Sequence, residues 1–412
     1  MTRALLTGNA ACAWGARLAE VDYVPAFPIT PQTEIIELLE SWIETGALQA
    51  RLTLLESEHS MLTAAGAAAA TGARVFTATS SQGLLYALEM LYTVAGWRVP
   101  LVLANVSRGL AAPITLEADH CDVLAARDSG FLQIHCATCQ EVLDSVLLAF
   151  RLAEHPDVRL PVLVNLDGFS LSFTREPVEV PSLEHARAFL PAFSSGPTRF
   201  RAGEPLSHAV AVLGGGPYSY FRYQTHLAAL AALGAYDAIA REFQRAFGRL
   251  WPAVHAYRCD DAEFVFAMIG SFATQAEAAV DRLRAQGERV GLVRPRLLRP
   301  FPAEAIRSLL RGRLGVAVVD QNLSLGRGGV LHGEIGSALQ GVAGAPRVCS
   351  FIGGLGGRDV RPEEFAAMLT QTRAAAERGV EPEPRLLYRA SELAEVRTLQ
   401  RVALPGEEGA PR

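Results

Sequence analysis

The sequence predicts an α/β protein built from two units, and three observations carry that prediction. Apolar, strand-like runs alternate with helical patterns from the N-terminus to about residue 175. The alternation stops in a Pro-rich stretch and a long helical segment, then resumes near residue 262. In the first unit, MTRALLTGNAACAWG begins as a strand and turns, and Gln32–Thr45 has helical periodicity. Strand candidates follow at Ala73–Thr79, Pro100–Val106, Leu132–His135 and Leu160–Leu166, with helical patterns at Leu84–Gly96 and Cys139–Glu154 between them. Strands and helices alternating at these lengths imply a parallel sheet with helices on both faces. After Asp167-Gly168-Phe169 the chain reads PVEVPSLEHARAFLPAFSSGPTRFRAGEP, an extended connector. A surface or bridging helix is expected over roughly His226–Phe247. The second unit shows four strands in turn, FVFAMIGS, RVGLVRPRLL, RLGVAVVDQN and VCSFIGGLGG, each separated from the next by a helix. The expected divisions are residues 1–175, 176–261, 262–370 and 371–412, the last a helical tail whose final eight residues, PGEEGAPR, look disordered.

Composition narrows the chemistry. The 412 residues are half hydrophobic and carry a formal net charge of −5, enough for two or three cores. Apolar runs break well short of the ~20 residues that span a bilayer. The N-terminus lacks a typical signal-peptide h-region, so a soluble, cytoplasmic protein is expected. All 38 basic residues are arginine. Without lysine there is no pyridoxal phosphate Schiff base and no P-loop. Arginine binds anions but does not relay protons, and scattered arginines in an acidic chain argue against a nucleic-acid surface. Of six cysteines only Cys136-Ala-Thr-Cys139 has suggestive spacing, and no second pair stands near it. Ordinary reduced thiols are expected, with no iron–sulfur cluster in this chain and no metal ligands of its own.

The most informative stretch is LLESEHSMLTAAGAAAATGARVFTATSSQGL, Leu54 to Leu84. Glu58 falls near the start of a helix that is almost all Ala and Gly from Ala64 to Ala70, bare enough for another backbone to approach closely. A carboxylate withdrawn from water there is either costly or functional. Pro28-Ile29-Thr30-Pro31 is a stiff turn, Thr79 to Gly83 closes one strand, and Ser107-Arg108-Gly109 closes the next. Parallel strand ends share one edge, where open α/β sheets bind ligands. One hydroxyl, one carboxylate and one guanidinium are thus candidates for a single crevice. Singly, each has an ordinary reading: Thr30 as a helix N-cap, Glu58 as a helix-dipole partner, Arg108 in a surface ion pair. The clusters Gly214–Gly216 and Gly353–Gly357 lack the dinucleotide fingerprint and read as turns. Ser324-Leu325-Gly326-Arg327-Gly328-Gly329 is either an anion cradle or a strand-to-helix turn.

Taken in order, FPITP, ESEHS, FTATSSQGL, SRGLAAP, DHCD, ARDSGF, NLDGF, FRYQ, LRPFP, DQNLSLGRGG and FIGGLGGRDV resemble the alpha subunit of the 2-oxoacid:ferredoxin oxidoreductases of pyruvate type. The resemblance runs from residue 4 to about 370. It implies a thiamine-diphosphate-binding fold of pyrimidine type for the first unit and a transketolase C-terminal-like α/β domain for the second. It gives Glu58 the part of the glutamate that hydrogen-bonds the cofactor aminopyrimidine and so promotes proton loss at the thiazolium carbon. Arg108 and Thr30 match residues that hold the 2-oxoacid carboxylate. Ser81 and Gln82 are taken with Glu58 as cofactor-binding.

Thiamine enzymes bind diphosphate through Mg²⁺ with a Gly-Asp-Gly motif, and none occurs here; Leu166-Asp167-Gly168 is the nearest approach. The resemblance therefore implies half a cofactor site, completed by a beta subunit that carries the diphosphate and Mg²⁺. The 4Fe-4S clusters would lie in a ferredoxin-like subunit, alongside a gamma-type subunit and, for electron delivery to NAD⁺, a flavin subunit. Coenzyme A would take the acyl group. The bare helix is the expected subunit contact. Gly109 and Gln32 stand where pyruvate-type relatives usually carry Ala and Ser, and Thr115-Leu116-Glu117 also departs from the pattern. A lost methyl beside Arg108 would admit a bulkier acyl group, so phenylglyoxylate stands beside pyruvate as the expected substrate. Rival readings are a different thiamine-type enzyme, an acyltransferase or a transketolase-like one, and a non-catalytic scaffold subunit.

Overall fold

A computed structural model of the chain describes residues 2–194, 200, 202–207, 210–380 and 382–403; the tail expected to be disordered lies outside them. The chain runs β1 (Thr2–Thr7), α1 (Gly8–Leu18), β2 (Tyr23–Ala26), α2 (Thr33–Glu44), β3 (Arg51–Leu54), α3 (Glu58–Ala70), β4 (Phe76–Thr79), α4 (Ser81–Tyr86), α5 (Leu88–Trp97), β5 (Val102–Ser107), α6 (Cys121–Ala125), β6 (Leu132–His135), α7 (Cys139–Ala153) and β7 (Val162–Asp167). Then come β8 (Arg175–Val180), α8 (Leu183–Phe189) and α9 (Gly215–Phe247). The second unit holds β9 (Val254–Tyr257), β10 (Phe264–Ala267), α10 (Ala273–Ala285), β11 (Val290–Pro295), β12 (Leu297–Arg299), α11 (Ala303–Leu310), β13 (Gly315–Asp320), α12 (Val330–Leu339), β14 (Arg347–Ile352) and α13 (Pro362–Arg378). β15 (Arg385–Leu386) and α14 (Ala390–Ala403) end it.

The first sheet has the order β12-β6-β7-β5-β4, and its last four strands are mutually parallel. β5 and β7 are buried along their whole length, as strands covered on both faces must be. Their register pairs Ser107 with Asp167, so both strands end side by side. β2 and β3 form a parallel pair that meets β4 through a single bridge, Tyr23 to Val75. The second sheet, β15-β14-β13-β10-β11-β9, is parallel except for β9. Among the described residues no helix is long and apolar enough to cross a membrane.

Four expectations need correction. The connector is not merely extended: Arg175–Val180 pairs antiparallel with β1, and Leu183–Phe189 is helical behind the N-cap Ser182. The long helix starts at Gly215 rather than near His226, because Gly214 takes a left-handed φ of 92° and Pro217 is tolerated in a first turn. The Leu84–Gly96 pattern is two helices that meet at Ala87. RVGLVRPRLL is two strands in different sheets: β11 stays in the second, while β12 crosses to pair antiparallel with β6 of the first.

That crossing carries a buried charge cluster. Glu141 on α7 accepts from Arg294 at 2.5 and 3.0 Å and from Arg296 at 2.7 Å. Arg296 also lies over the Trp251 ring, 4.7 Å from its centroid. Burial alone would raise the Glu141 pKa, but the two guanidinium groups outweigh it and hold the carboxyl at about 2. These buried charges, joined through the Glu141 carboxylate, lock the second unit's strand onto the first unit's helix. Removing one leaves the others unpaired, so Glu141→Ala is expected to cost ~3–5 kcal/mol in urea unfolding at neutral pH. Because the folded pKa is depressed, the wild-type contribution is full above the ordinary value of 4.5 and disappears as pH falls through about 2. In Glu141→Gln that acid-range loss should be absent.

Candidate active site

Helix α3 begins behind Ser57, whose extended backbone and hydroxyl cap the first turn by accepting from the Ser60 N–H at 3.2 Å. Glu58 is therefore the first helical residue, where the dipole favours an acid. Its side chain does not reach into solvent; it is only 5% exposed. It lies against the α-carbon of Gly83: a methyl there would come within 2.3 Å of Glu58 Oε1 and 2.5 Å of Thr79 Oγ1. Glu58 thus sits where a helix dipole favours an acid, yet no described residue hydrogen-bonds to its carboxylate.

The strand end after β4 supplies the facing wall. Ser81 opens α4 at φ 47°, a left-handed conformation that serine rarely adopts. Its N–H donates to Asp122 Oδ2 at 3.0 Å and its hydroxyl to the Gly109 carbonyl at 3.0 Å. Next to it, Gln82 Oε1 accepts from Arg108 Nη2 at 2.9 Å. Arg108 is 7% exposed, and among the described residues no carboxylate pairs with it, so it does not make the surface ion pair of its ordinary reading. Burial pulls its pKa below the ordinary value, partly offset by the charge of Asp122. Four buried atoms around this cluster have no hydrogen-bond partner: Thr79 Oγ1, Ser80 Oγ, Gln82 Nε2 and Arg108 Nε. Each unsatisfied group costs ~1–3 kcal/mol, so their concentration beside an unpartnered carboxylate marks a site that a ligand completes.

Thr30 is placed less centrally. The turn that bears it is held by Asn9 Nδ2, which donates to the Pro31 carbonyl at 2.9 Å, and by Gln32 Nε2, which donates to the Phe27 carbonyl at 3.0 Å. Pro31 and the Ser107 carbonyl both crowd Gly168, so the turn sits at the shared edge of β5 and β7. The Thr30 side chain is exposed and is not the α2 N-cap, which is Gln32. Direct hydrogen bonds join Gln82 to Arg108 and Ser81 to Gly109, and Glu58 lies against Gly83 in the same turn. Thr30 shares only their edge of the sheet.

The second unit braces this edge from behind. His120 N–H donates to the Gln321 carbonyl at 2.8 Å, and Gly357 N–H to the Ala118 carbonyl at 2.7 Å. Asp167 at the end of β7 accepts from His120 at 2.7 Å and from the Ser271 N–H and hydroxyl at 2.7 and 2.6 Å. Gly354, Gly356 and Gly357 all have positive φ, as a turn requires, and Gly357 lies against the Glu117 side chain. The 324–329 loop resolves its two readings as a strand-to-helix turn. Asp320, its pKa pushed up to about 7 by burial, accepts from the Leu331 and His332 N–H groups at 2.7 and 3.1 Å. A carboxylate of the chain itself thus occupies the anion position at the start of α12. Cys136 and Cys139 are buried thiols with pKa pushed up to about 12, chiefly by desolvation.

The surroundings of Gly109 bear on the choice of substrate. The methyl missing at Gly109 leaves no extra room, because Thr115 Cγ2 would lie 2.4 Å from it and Asp119 Oδ2 3.0 Å. The Thr115 departure fills the space that the Gly109 departure opens.

Asn9, Asp122, His120 and Ser271 were not singled out by the sequence. Each is an isolated polar residue whose partners are remote in the chain; only the DHCD motif pointed near two of them.

Residues 14–239 match the family model for pyruvate flavodoxin/ferredoxin oxidoreductase, thiamine diphosphate-binding, and residues 262–365 match pyruvate:ferredoxin oxidoreductase core domain II. The chain is 41% identical over 374 residues to pyruvate synthase subunit PorA of Methanothermobacter thermautotrophicus, covering 90% of this chain and 96% of that one. The chain belongs to the 2-oxoacid:ferredoxin oxidoreductase family, as an alpha subunit. Among other relatives, PorA of Thermotoga maritima is 40% identical over 88% of this chain and 92% of its own. Ketoisovalerate oxidoreductase subunit VorA of Pyrococcus horikoshii is 37% identical over 91% and 95%. Fold similarity agrees. A 2-oxoglutarate:ferredoxin oxidoreductase from Magnetococcus marinus superposes with a TM-score of 0.68 at 18% identity over 90% of this chain, which spans 65% of that longer chain. A split-gene transketolase superposes at 0.53 and 13% identity, covering 88% of this chain and 97% of that one.

A methyl on residue 83 can be accommodated only by moving the Glu58 carboxylate and the Thr79 hydroxyl. Gly83→Ala is therefore expected to leave the helical content, read by circular dichroism, intact while turnover of the assembled complex falls about a hundredfold, the usual cost of ~1 Å misplacement.

Proposed function

We propose that this chain supplies the proton-handling and substrate-carboxylate half of a thiamine-diphosphate site for oxidative decarboxylation of a 2-oxoacid to an acyl-coenzyme A. The observation that carries the reading is the buried Glu58 carboxylate packed on Gly83, which no described residue hydrogen-bonds, together with unsatisfied polar atoms of Thr79, Ser80, Gln82 and Arg108 at the same strand ends. These residues fit the cofactor: an acid suits a basic ring nitrogen, and the free amide and hydroxyl atoms suit an amino-substituted heterocycle. When bound, thiamine diphosphate supplies the carbon nucleophile and the electron sink that decarboxylation needs.

Glu58 then holds and returns a proton at its own oxygens, in a crevice walled by Gly83 and Thr79 that excludes water. Arg108 offers its Nε edge, unsatisfied within the chain, to a substrate carboxylate, a geometry suited to bidentate pairing. Gln82 fixes the guanidinium plane from its other side. Thr30, at the same edge, is a second contact for that carboxylate.

The rest of the site comes from other chains. With no Gly-Asp-Gly motif in the sequence, a beta subunit is proposed to carry the diphosphate and Mg²⁺, and ferredoxin-like and gamma-type subunits to carry 4Fe-4S clusters and complete the assembly. The first unit, residues 1–175, is read as the pyrimidine-binding domain and 262–370 as the transketolase C-terminal-like one. For substrate, the filled space at Gly109 favours a short aliphatic 2-oxoacid such as pyruvate over phenylglyoxylate, and the named activities of the PorA and VorA relatives point the same way.

In the assembled complex, Glu58→Gln should abolish most turnover, by roughly two to four orders of magnitude, with subunit composition unchanged. Unchanged turnover would favour a scaffold role instead. In a panel of 2-oxoacids, kcat/KM should favour pyruvate or 2-oxoisovalerate over phenylglyoxylate; the reverse order would show that Thr115 does not close the pocket.

A further inference from the structure

We infer that Asp122 is the positioning residue that sets the distance and orientation between the substrate arginine and the cofactor-facing wall. This rests on the reading of Arg108 and Gln82 given above. Asp122 lies in the first turn of α6, and its carboxyl group is fully buried and turned toward two other elements. Oδ1 accepts from the Ser107 hydroxyl at 2.6 Å and from its neighbour Val123 N–H at 2.7 Å. Oδ2 accepts from the Ser81 N–H at 3.0 Å and from Asn105 Nδ2 at 3.0 Å. Each oxygen thus meets two hydrogen-bonding partners, so the carboxyl group is held from four directions.

The donors come from the two strand ends that matter. Ser107 immediately precedes Arg108, and Ser81 immediately precedes Gln82. Asp122 therefore joins the backbone of the arginine to the backbone of the glutamine that holds its guanidinium at 2.9 Å. An independent observation bears on the same joint. Ser81 stays at φ 47°, where a serine is strained by ~1–3 kcal/mol unless its surroundings fix it. What fixes it is the N–H bond to Asp122 together with the hydroxyl bond to Gly109, the residue after Arg108. The left-handed turn at Ser81 carries the chain on to Gln82, beside Arg108, and to Gly83, beneath Glu58. One carboxyl group that touches neither substrate nor cofactor thereby holds the arginine and its glutamine in register.

The Asp122→Asn side chain keeps its size but presents N–H where two donors already point. In the assembled complex, KM for the preferred 2-oxoacid is expected to rise at least about tenfold, with a smaller fall in kcat. In an Arg108→Gln background the same substitution should add little, because a residue that acts through the arginine loses its effect when the arginine is gone. Equal losses in kcat/KM in both backgrounds, or an unchanged KM in Asp122→Asn, would overturn the inference. If Asp122→Asn does not assemble, Ser107→Ala, which removes one of the four donors, is read in the same two backgrounds with the same two outcomes. Failure of the underlying reading is separate: Arg108→Gln alone would then leave KM for the 2-oxoacid unchanged.

Discussion

Glu58 and residue 83 compete for one small volume, and the rest of the site depends on how that competition is settled. Glycine at 83 yields the space, so the carboxylate can turn inward from the first turn of α3 and lie against the start of α4. That places an anion between two helix starts at the carboxyl edge of a parallel sheet, where backbone dipoles favour it. Among the described residues nothing binds that carboxylate. The cost of holding such a group is recovered only when a cationic or proton-bearing partner arrives.

Rigidity behind the site has a separate origin. The second unit makes no direct contact with Glu58 in the hydrogen-bond pattern described, but it fixes the loop from Gly109 to His120 through Gln321 and Gly357. It also pins the end of β7 through Ser271. The Glu141 cluster with Arg294 and Arg296 holds the two units in one register. A chain without lysine uses arginine for these buried joints, and the planar guanidinium can satisfy one carboxylate from two directions.

Much of this was legible in the sequence, and the limits have physical causes. The parallel core of the first unit shows in continuous apolar runs such as those of β5 and β7, and the strand ends that carry Thr79 and Arg108 follow from it. Glu58, Ser81, Gln82 and Arg108 emerge as one cluster because short strand–turn–helix links keep them at a single edge. Thr30 shows where local reading stops: two prolines mark its turn, but not the direction of its hydroxyl. β8 and β12 were missed because each is short and finds its partner far away in the chain, β1 and β6 respectively. Asp122 and Asn9 have no periodic or spacing signal at all, since their roles are hydrogen bonds to remote backbone. The room beside Gly109 was illegible for a related reason. A missing methyl can be read from sequence, but the side chain that fills its place, Thr115, requires the loop to be folded.

Glu58 is proposed as the group through which this chain moves the proton of a cofactor held elsewhere. This role is tested most directly without substrate, by the rate at which the C2 hydrogen of bound thiamine diphosphate exchanges with deuterium in the assembled complex. The account predicts that Glu58→Gln slows this exchange by about a hundredfold or more while the cofactor remains bound. Equal exchange rates in the wild-type and variant complexes, both loaded with cofactor, would contradict it.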